Sequence, residues 1–259
     1  MKILNFALIY PLTILGIVSM LTSSCERDEE NLSNQSNGKT TAVFNPNLTY
    51  NSLTDQDGNI YKTITIGTQT WMAENLRTTR YRNGEQIPLV ISNSEWKNLS
   101  HGAYCNYNNT NSPDTIATYG RLYTLDAVID SRTIAPEGWH VPSDAEWTTL
   151  ITYLGKGDAV LGDSTAGAYL KEAGDSHWPN NTVFGDPIAN NNSGFTALPC
   201  VWRTYNGFGY PDGQAVFWSS TRYSDNQSWS RMLISAGSLV ARFNWAGGDL
   251  GYAVRCIKD

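Results

Sequence analysis

Three histidines, His101, His140 and His177, are the first residues to suggest chemistry, because imidazole serves acid–base catalysis and metal binding alike. No two of them stand at ligand spacing and H-E-x-x-H is absent, which argues against a zinc hydrolase. His140 lies between Trp139 and Val141, just ahead of a helix start, where a structural histidine bonded to backbone is expected rather than a base. Asp144 with Glu146, and Glu172 with Asp175, form acidic pairs, but the first opens a helix, where acids are favoured in any case. A glycoside hydrolase needs two carboxyls facing each other across a cleft. G-x-S-x-G, the phosphate-binding P-loop and the dinucleotide glycine pattern do not occur. The acids of Asp55-Gln56-Asp57-Gly58-Asn59 are spaced as in a calcium loop, yet its twelfth position is Ile66 instead of a bidentate Glu, so a hairpin turn is expected.

Binding has the stronger residues. Trp202, Tyr205, Phe208, Tyr210, Trp218, Tyr223, Trp229 and Trp245 crowd the last third of the chain among Asn206, Asp212, Asp225, Asn226, Asn244 and Asp249. Aromatic planes beside amides and carboxylates suit stacking on sugar rings or gripping a protein. About half of such rings belong to a core, with Phe217, Trp218 and Trp229 the first candidates for it. Trp202, Tyr205, Tyr210, Asp212, Tyr223, Asn244, Trp245 and Asp249 are the expected ligand-binding residues. Pro211-Asp212 and Trp245 with Asp249 are similar to the calcium motifs of C-type lectins but differ in spacing. No cofactor is therefore expected, with calcium as the lesser reading.

These residues need a scaffold, and the composition describes one. The 259 residues are 41% hydrophobic, 12% aromatic and only 16% charged, which fits a packed domain and excludes charge-driven disorder. The net charge is -6 and the acids are scattered, so no basic footprint for nucleic acid exists. Residues 1–24 carry Lys2, a mostly apolar run from Ile3 to Leu21, then Thr22-Ser23-Ser24 before Cys25, the layout of a signal peptide. The small residues before Cys25 resemble the lipobox of bacterial lipoproteins, which implies cleavage there and lipid on the Cys25 sulfur. The acids of Cys25-Glu26-Arg27-Asp28-Glu29-Glu30 resemble the surface-export signal of lipoproteins in the Bacteroidetes. An outer-membrane protein exposed at the cell surface is expected, held through its lipid alone. Cleavage removes Lys2 alone and leaves 17 basic against 24 acidic groups, a charge of -7. Residues 25–47 are polar and without apolar periodicity, so a flexible linker is expected, followed by one domain over 48–259.

Cys105, Cys200 and Cys256 remain for an exported and oxidising setting. A disulfide between Cys200 and Cys256 is expected, with three buried thiols as the alternative. No C-x-x-C is present to build a thiolate metal site.

Along the domain, Lys62–Ile66 alternates in period two and completes a hairpin. Leu122, Leu125, Val128 and Ile129 recur at three- and four-residue intervals and predict a core-facing helix over 119–129. Ser143 with Glu146 forms a capping box, and Trp147, Leu150, Ile151 and Leu154 follow at helical spacing. A short helix is predicted over 166–173, and strands over 194–199, 215–221, 228–234, 238–243 and 252–257. Helices first and strands later predict an α+β domain.

Gly58-Asn59-Ile60-Tyr61, Ile66–Leu76, Tyr119-Gly120-Arg121-Leu122-Tyr123, Pro136-Glu137-Gly138-Trp139-His140-Val141-Pro142-Ser143-Asp144-Ala145-Glu146-Trp147, Gly194-Phe195, Leu198-Pro199, Phe217-Trp218-Ser219-Ser220-Thr221 and Val254-Arg255-Cys256 together resemble the Fibrobacter succinogenes major paralogous domain, in order, over nearly all of 55–259. That family occurs in surface or secreted proteins and has no established activity. The resemblance implies a C-type-lectin-like fold of the formylglycine-generating type, with first-half helices packed on short antiparallel strands of the second half. Ala135 stands where members usually carry cysteine, so a disulfide from that position cannot form. The close pair of reactive cysteines that formylglycine-generating enzymes need is not visible. A non-catalytic surface protein binding a glycan or a protein is therefore expected. A structural or adhesive subunit of a surface assembly, or a glycoside hydrolase, are the alternatives.

Overall fold

The computed structural model of the protein describes residues 38–155, 166–178, 189–209, 213–247 and 249–259, without the side chains of Trp245 and Ala246. Residues 1–24, where a signal peptide is expected, and Cys25, Tyr210 and Asp212 lie outside these residues. The described residues all fall within one compact unit, Asn34–Asp259.

Period-two alternation and turn chemistry make the strands. β1 (Asn51–Thr54) and β2 (Ile60–Ile66) are joined by the turn that holds Asp55. Its carboxylate accepts from the Asp57 and Asn59 amides, the Asn59 side chain and the Tyr61 hydroxyl. Asp55 is thus saturated by protein donors and serves as a turn residue. β3 (Gln69–Met72), β13 (Ile257–Lys258) and β6 (Trp139–His140) complete the first sheet, ordered β1-β2-β3-β13-β6. The second sheet joins β4 (Tyr104–Asn106), β5 (Arg121–Thr124), β12 (Gly251–Tyr252), β7 (Arg203–Thr204) and β8 (Gly207–Phe208) in the order β4-β5-β12-β7-β8. β9 (Gln214–Ser224), β10 (Gln227–Ile234) and β11 (Val240–Gly247) form the third, with β10 in the middle. Every ladder is antiparallel.

The helices are short: α1 (Asn93–Lys97), α2 (Pro113–Tyr119), α3 (Leu125–Val128), α4 (Asp144–Leu154) and α5 (Ala166–Leu170). The expected C-type-lectin-like α+β arrangement is therefore wrong. The protein is mostly β, with three antiparallel sheets and strands throughout its first half. The predicted helix over 119–129 shows why. Gly120 has φ +73 and ends α2, after which Arg121–Thr124 pairs with β4, Leu122 opposite Cys105, and only one helical turn follows. Leu122, Leu125 and Val128 are buried as expected and Ile129 half-buried, but Leu122 is hydrogen-bonded across a strand ladder instead of within a helix. The predicted strand over 194–199 is also absent: Thr196 sits at φ +55 in a turn held by the Asn191 side chain.

Alternation places two cores on opposite faces of the same strands. In β9, Val216 and Trp218 join a cluster with Tyr123, Tyr252, Val254 and Cys256. Ala215 and Phe217 join another with Trp71, Trp147, Leu150, Ile151 and Phe195. The second cluster has α4 as its lid, with Trp71 and Trp147 rings 4.8 Å apart and Phe217 5.6 Å from Trp147. Such pairs add about 0.5–1.5 kcal/mol each beyond area burial. The capping box of α4 is formed: Ser143 Oγ accepts from the Glu146 amide, and Glu146 Oε2 accepts from the Ser143 amide at 2.7 Å. Residues 39–45, expected in the linker, are bonded to the domain. The Lys39 amide donates to Asp114, Thr41 to Thr118 and Val43 to Glu172, and the Asn45 side chain donates to the Asn191 carbonyl.

Candidate functional site

One face of β9 carries two recesses. Gln214 and Val216 line the first, with Met232 of β10, Phe243 of β11, Tyr252 of β12 and Trp202 from the segment before β7, around about 180 Å³. Trp218, next along the same face, closes off this end by packing on Tyr252 at 4.6 Å and donating from Nε1 to the Tyr123 carbonyl. The Trp202 indole is pinned by bare backbone: a Cβ on Gly209 would lie 2.4 Å from the ring, and the Gly209 amide donates to the Trp202 carbonyl at 2.7 Å. The lining is mostly hydrocarbon, thioether and aromatic, its polar side-chain groups being the Gln214 amide, the Tyr252 hydroxyl and the Trp202 indole N–H.

Ser220 and Arg222 line the second recess, a cleft of about 420 Å³ completed by Val128, Ile129, Asp130, Thr133, His140 and Val141. A register shift between Ser228 and Ser230 of β10 falls beside it, and such bulges re-aim side chains. Thr133 adopts φ +47, an uncommon left-handed conformation for a β-branched residue. The His140 ring makes no hydrogen bond to backbone among the described residues, contrary to expectation. Its Nδ1 lies 2.6 Å from Asp259 Oδ1 and its Nε2 2.8 Å from Glu146 Oε1. Partial burial alone would lower its pKa, but these two carboxylates outweigh burial and raise it. Burial would raise Glu146, while its bonds from Ser143 and His140 hold it below the usual carboxylate range. Asp130 is spent on Arg132, whose Nε and Nη2 reach it at 2.9 and 2.6 Å.

The other candidate residues scatter. Tyr205 is exposed near Lys97, whose Nζ lies 5.6 Å from its ring. Tyr223 is exposed and packs edge-on against Trp229 at 5.2 Å. Trp229 is only half-buried, with the Arg242 guanidinium over its ring, whereas Phe217 and Trp218 are core as expected. Asn244 lies half-buried in β11 and Trp245 follows it, its side chain outside the described residues. Asp249 is exposed, and its carbonyl accepts from Trp96 Nε1. Of the eight, Trp202 alone lines either recess among the described residues. Gln214, Met232, Phe243 and Tyr252, and Thr133, Ser220 and Arg222, were not singled out. The even-numbered alternation of β9 was the available signal for Gln214, Ser220 and Arg222.

The acidic pairs do not face each other across a cleft. Asp144 accepts from Arg231 Nη2 at 2.8 Å and from the Nε and Nη2 of Arg242, tying α4 to β10 and β11. Glu172 is buried between the Val43 amide and His177 Nδ1, the latter at 2.7 Å, while Asp175 is exposed. His101 Nδ1 contacts the Gly102 carbonyl. Among the described residues, no three His, Cys, Asp or Glu side chains are grouped to hold a metal. Cys105, Cys200 and Cys256 are buried free thiols, and the expected bond between Cys200 and Cys256 is not made. Cys200 belongs to the α4-side core and Cys256 to the opposite one, and burial pushes the Cys200 thiol up to about 11.

The family motifs converge inside the fold. Arg255, fully buried, donates from Nε to Asn75 Oδ1 at 2.8 Å, from Nη1 to the Phe195 carbonyl and from Nη2 to the Thr196 carbonyl at 2.8 Å. Its guanidinium stacks 4.3 Å from the Phe195 ring, and burial lowers its pKa to about 9. One arginine thus joins three distant motifs. The family model described as the Fibrobacter succinogenes major domain matches residues 64–258. The chain belongs to this family. No curated protein and no solved structure matches the chain. In this member of the Fibrobacter succinogenes major domain family, Asn75, Trp147, Phe195, Trp218 and Arg255 of the motifs are buried, and the recess linings are drawn mostly from residues between them.

Proposed function

We propose that the protein is a non-catalytic, lipid-anchored surface protein whose domain binds a protein partner by taking an apolar side chain into the Trp202 recess. The observation that carries this reading is the recess itself: Trp202, Phe243, Tyr252, Met232 and Val216 around about 180 Å³, with one amide. A dry cavity of about 150 Å³ holds a benzene ring, so the space suits one aromatic or branched side chain. A sugar ring would leave most of its hydroxyls unpaired against this lining. Anchoring rests on Cys25 and the small residues before it, and surface exposure on the acids after it.

Selection of a random peptide library on the immobilised chain tests the reading. Enriched peptides sharing an aromatic anchor, bound saturably and lost with Trp202→Ala while the circular dichroism spectrum is kept, are expected. Peptide binding indifferent to Trp202→Ala would sink it, and a glycan-array hit lost with that variant would return the recess to sugars. Cys25→Ala should abolish lipid labelling in cells. A second reading, a subunit of a surface assembly, is favoured by β11, an eight-residue strand at the edge of its sheet. Concentration-dependent light scattering of the chain without its lipid tests that.

A further inference from the structure

The cleft beyond Trp218 has a different inventory. Its floor is the hydrocarbon of Val128, Ile129 and Val141. Its charged side chains are largely engaged with one another: Asp130 accepts from Arg132 through three nitrogens, and both His140 nitrogens face carboxylates, Glu146 and Asp259. The remaining polar capacity lies in one guanidinium edge and two hydroxyls. Arg222 spends Nη1 on the Asp225 carbonyl at 2.9 Å and has no carboxylate within ion-pair distance among the described residues. This leaves its Nε–Nη2 edge, the fork that takes a carboxylate side-on. The Ser220 hydroxyl has no protein partner among the described residues, its amide alone being used, on the Pro142 carbonyl. The Thr133 hydroxyl accepts from the Ala135 amide and keeps its own proton to give.

A recess with an apolar floor, a guanidinium edge and two hydroxyls that can each give or take a hydrogen bond selects a ligand with one hydrophobic face, a carboxylate edge and hydroxyls of its own. At about 420 Å³ the cleft lies within the size range of small-molecule sites, roughly 300–1,000 Å³, where the Trp202 recess does not. We propose that this cleft binds a uronic acid residue, its carboxylate on Arg222 and Ser220 and its ring over Val128, Ile129 and Val141. The site is separate from the Trp202 recess and does not depend on that recess having a ligand. With a net charge of -6 the chain offers no long-range attraction to an anion, so recognition rests on contact and discriminates strongly by charge.

Titration calorimetry of the chain with D-glucuronate, D-galacturonate and D-glucose is the test, with short oligogalacturonides added to separate a free acid from a residue within a polymer. Saturable uronate binding at least ten-fold tighter than glucose is expected. Arg222→Ala should weaken it by ten-fold or more, Arg222→Lys less, and Ser220→Ala by a few-fold. Arg222 is exposed, so these variants fold, and the melting temperature verifies it. Equal affinity for glucose, indifference to Arg222→Ala, or no saturable binding of any uronate would each overturn the assignment.

Discussion

The two recesses on one face of β9 share a strand and differ in almost everything else. The Trp202 recess is walled by residues whose backbone and ring positions are settled by packing: Tyr252 against Trp218, Trp202 against Gly209. The His140 cleft is walled by polar groups settled by one another, Asp130 with Arg132 and His140 with Glu146 and Asp259. Hydrophobic packing leaves a recess of fixed shape with little polar choice. Satisfied ion pairs leave a recess whose specificity belongs to the few groups not yet satisfied, here Arg222, Ser220 and Thr133.

Trp218→Ala should break the comparison most severely, because this ring sits between the recesses and is fully buried. A loss of about 3–5 kcal/mol is expected for truncating such a residue, read by denaturant unfolding, with ligands of both recesses lost together. Asp144→Ala acts from the opposite face of the sheet. It deprives Arg231 and Arg242 of their carboxylate, and a broken buried pair costs about 3–5 kcal/mol; equally weakened binding in both recesses would show that they share one rigid sheet.

His140→Asn sharpens the contrast by pH. His140 has a raised pKa, so its stabilisation is full below its ordinary value of 6.5 and fades as pH rises through the folded value. Glu146 is lowered, so its share is full above 4.5 and fades as pH falls through the folded value. The melting-temperature gap between wild type and variant should peak between these values and shrink as pH rises through the raised His140 value; a gap constant with pH would contradict the pairing. The smallest effect is expected from Arg222→Ala, within about 0.5 kcal/mol in stability. It should leave aromatic-peptide affinity unchanged within two-fold, as Trp202→Ala should leave uronate affinity.

Local signals carried a good deal of the fold. Ser143 and Glu146 announced the α4 start because a capping box needs only residues three apart, and the Asp55 turn and the strands β9 and β10 were legible for the same reason. Leu122, Leu125 and Val128 were correctly placed in the core, but Leu122 was given the wrong backbone, since burial does not reveal whether the hydrogen-bond partner is four residues away or on β4. Candidate ligand residues were chosen by type, and type does not say which rings face one another.

The amino-acid sequence by itself determined the family, most of the buried positions, the start of α4 and the Asp55 turn, the last two because they depend on residues close together in the chain. Only the tertiary structure decided that Arg255 would join Asn75 to Phe195 and Thr196, and that Trp202 would meet Phe243 and Tyr252. The same holds for Arg222, left beside a cleft without a carboxylate partner among the described residues. The physical reason is that hydrogen-bond satisfaction and the shape of a recess depend on groups brought together across separations such as the 180 residues from Asn75 to Arg255, through the register of sheets.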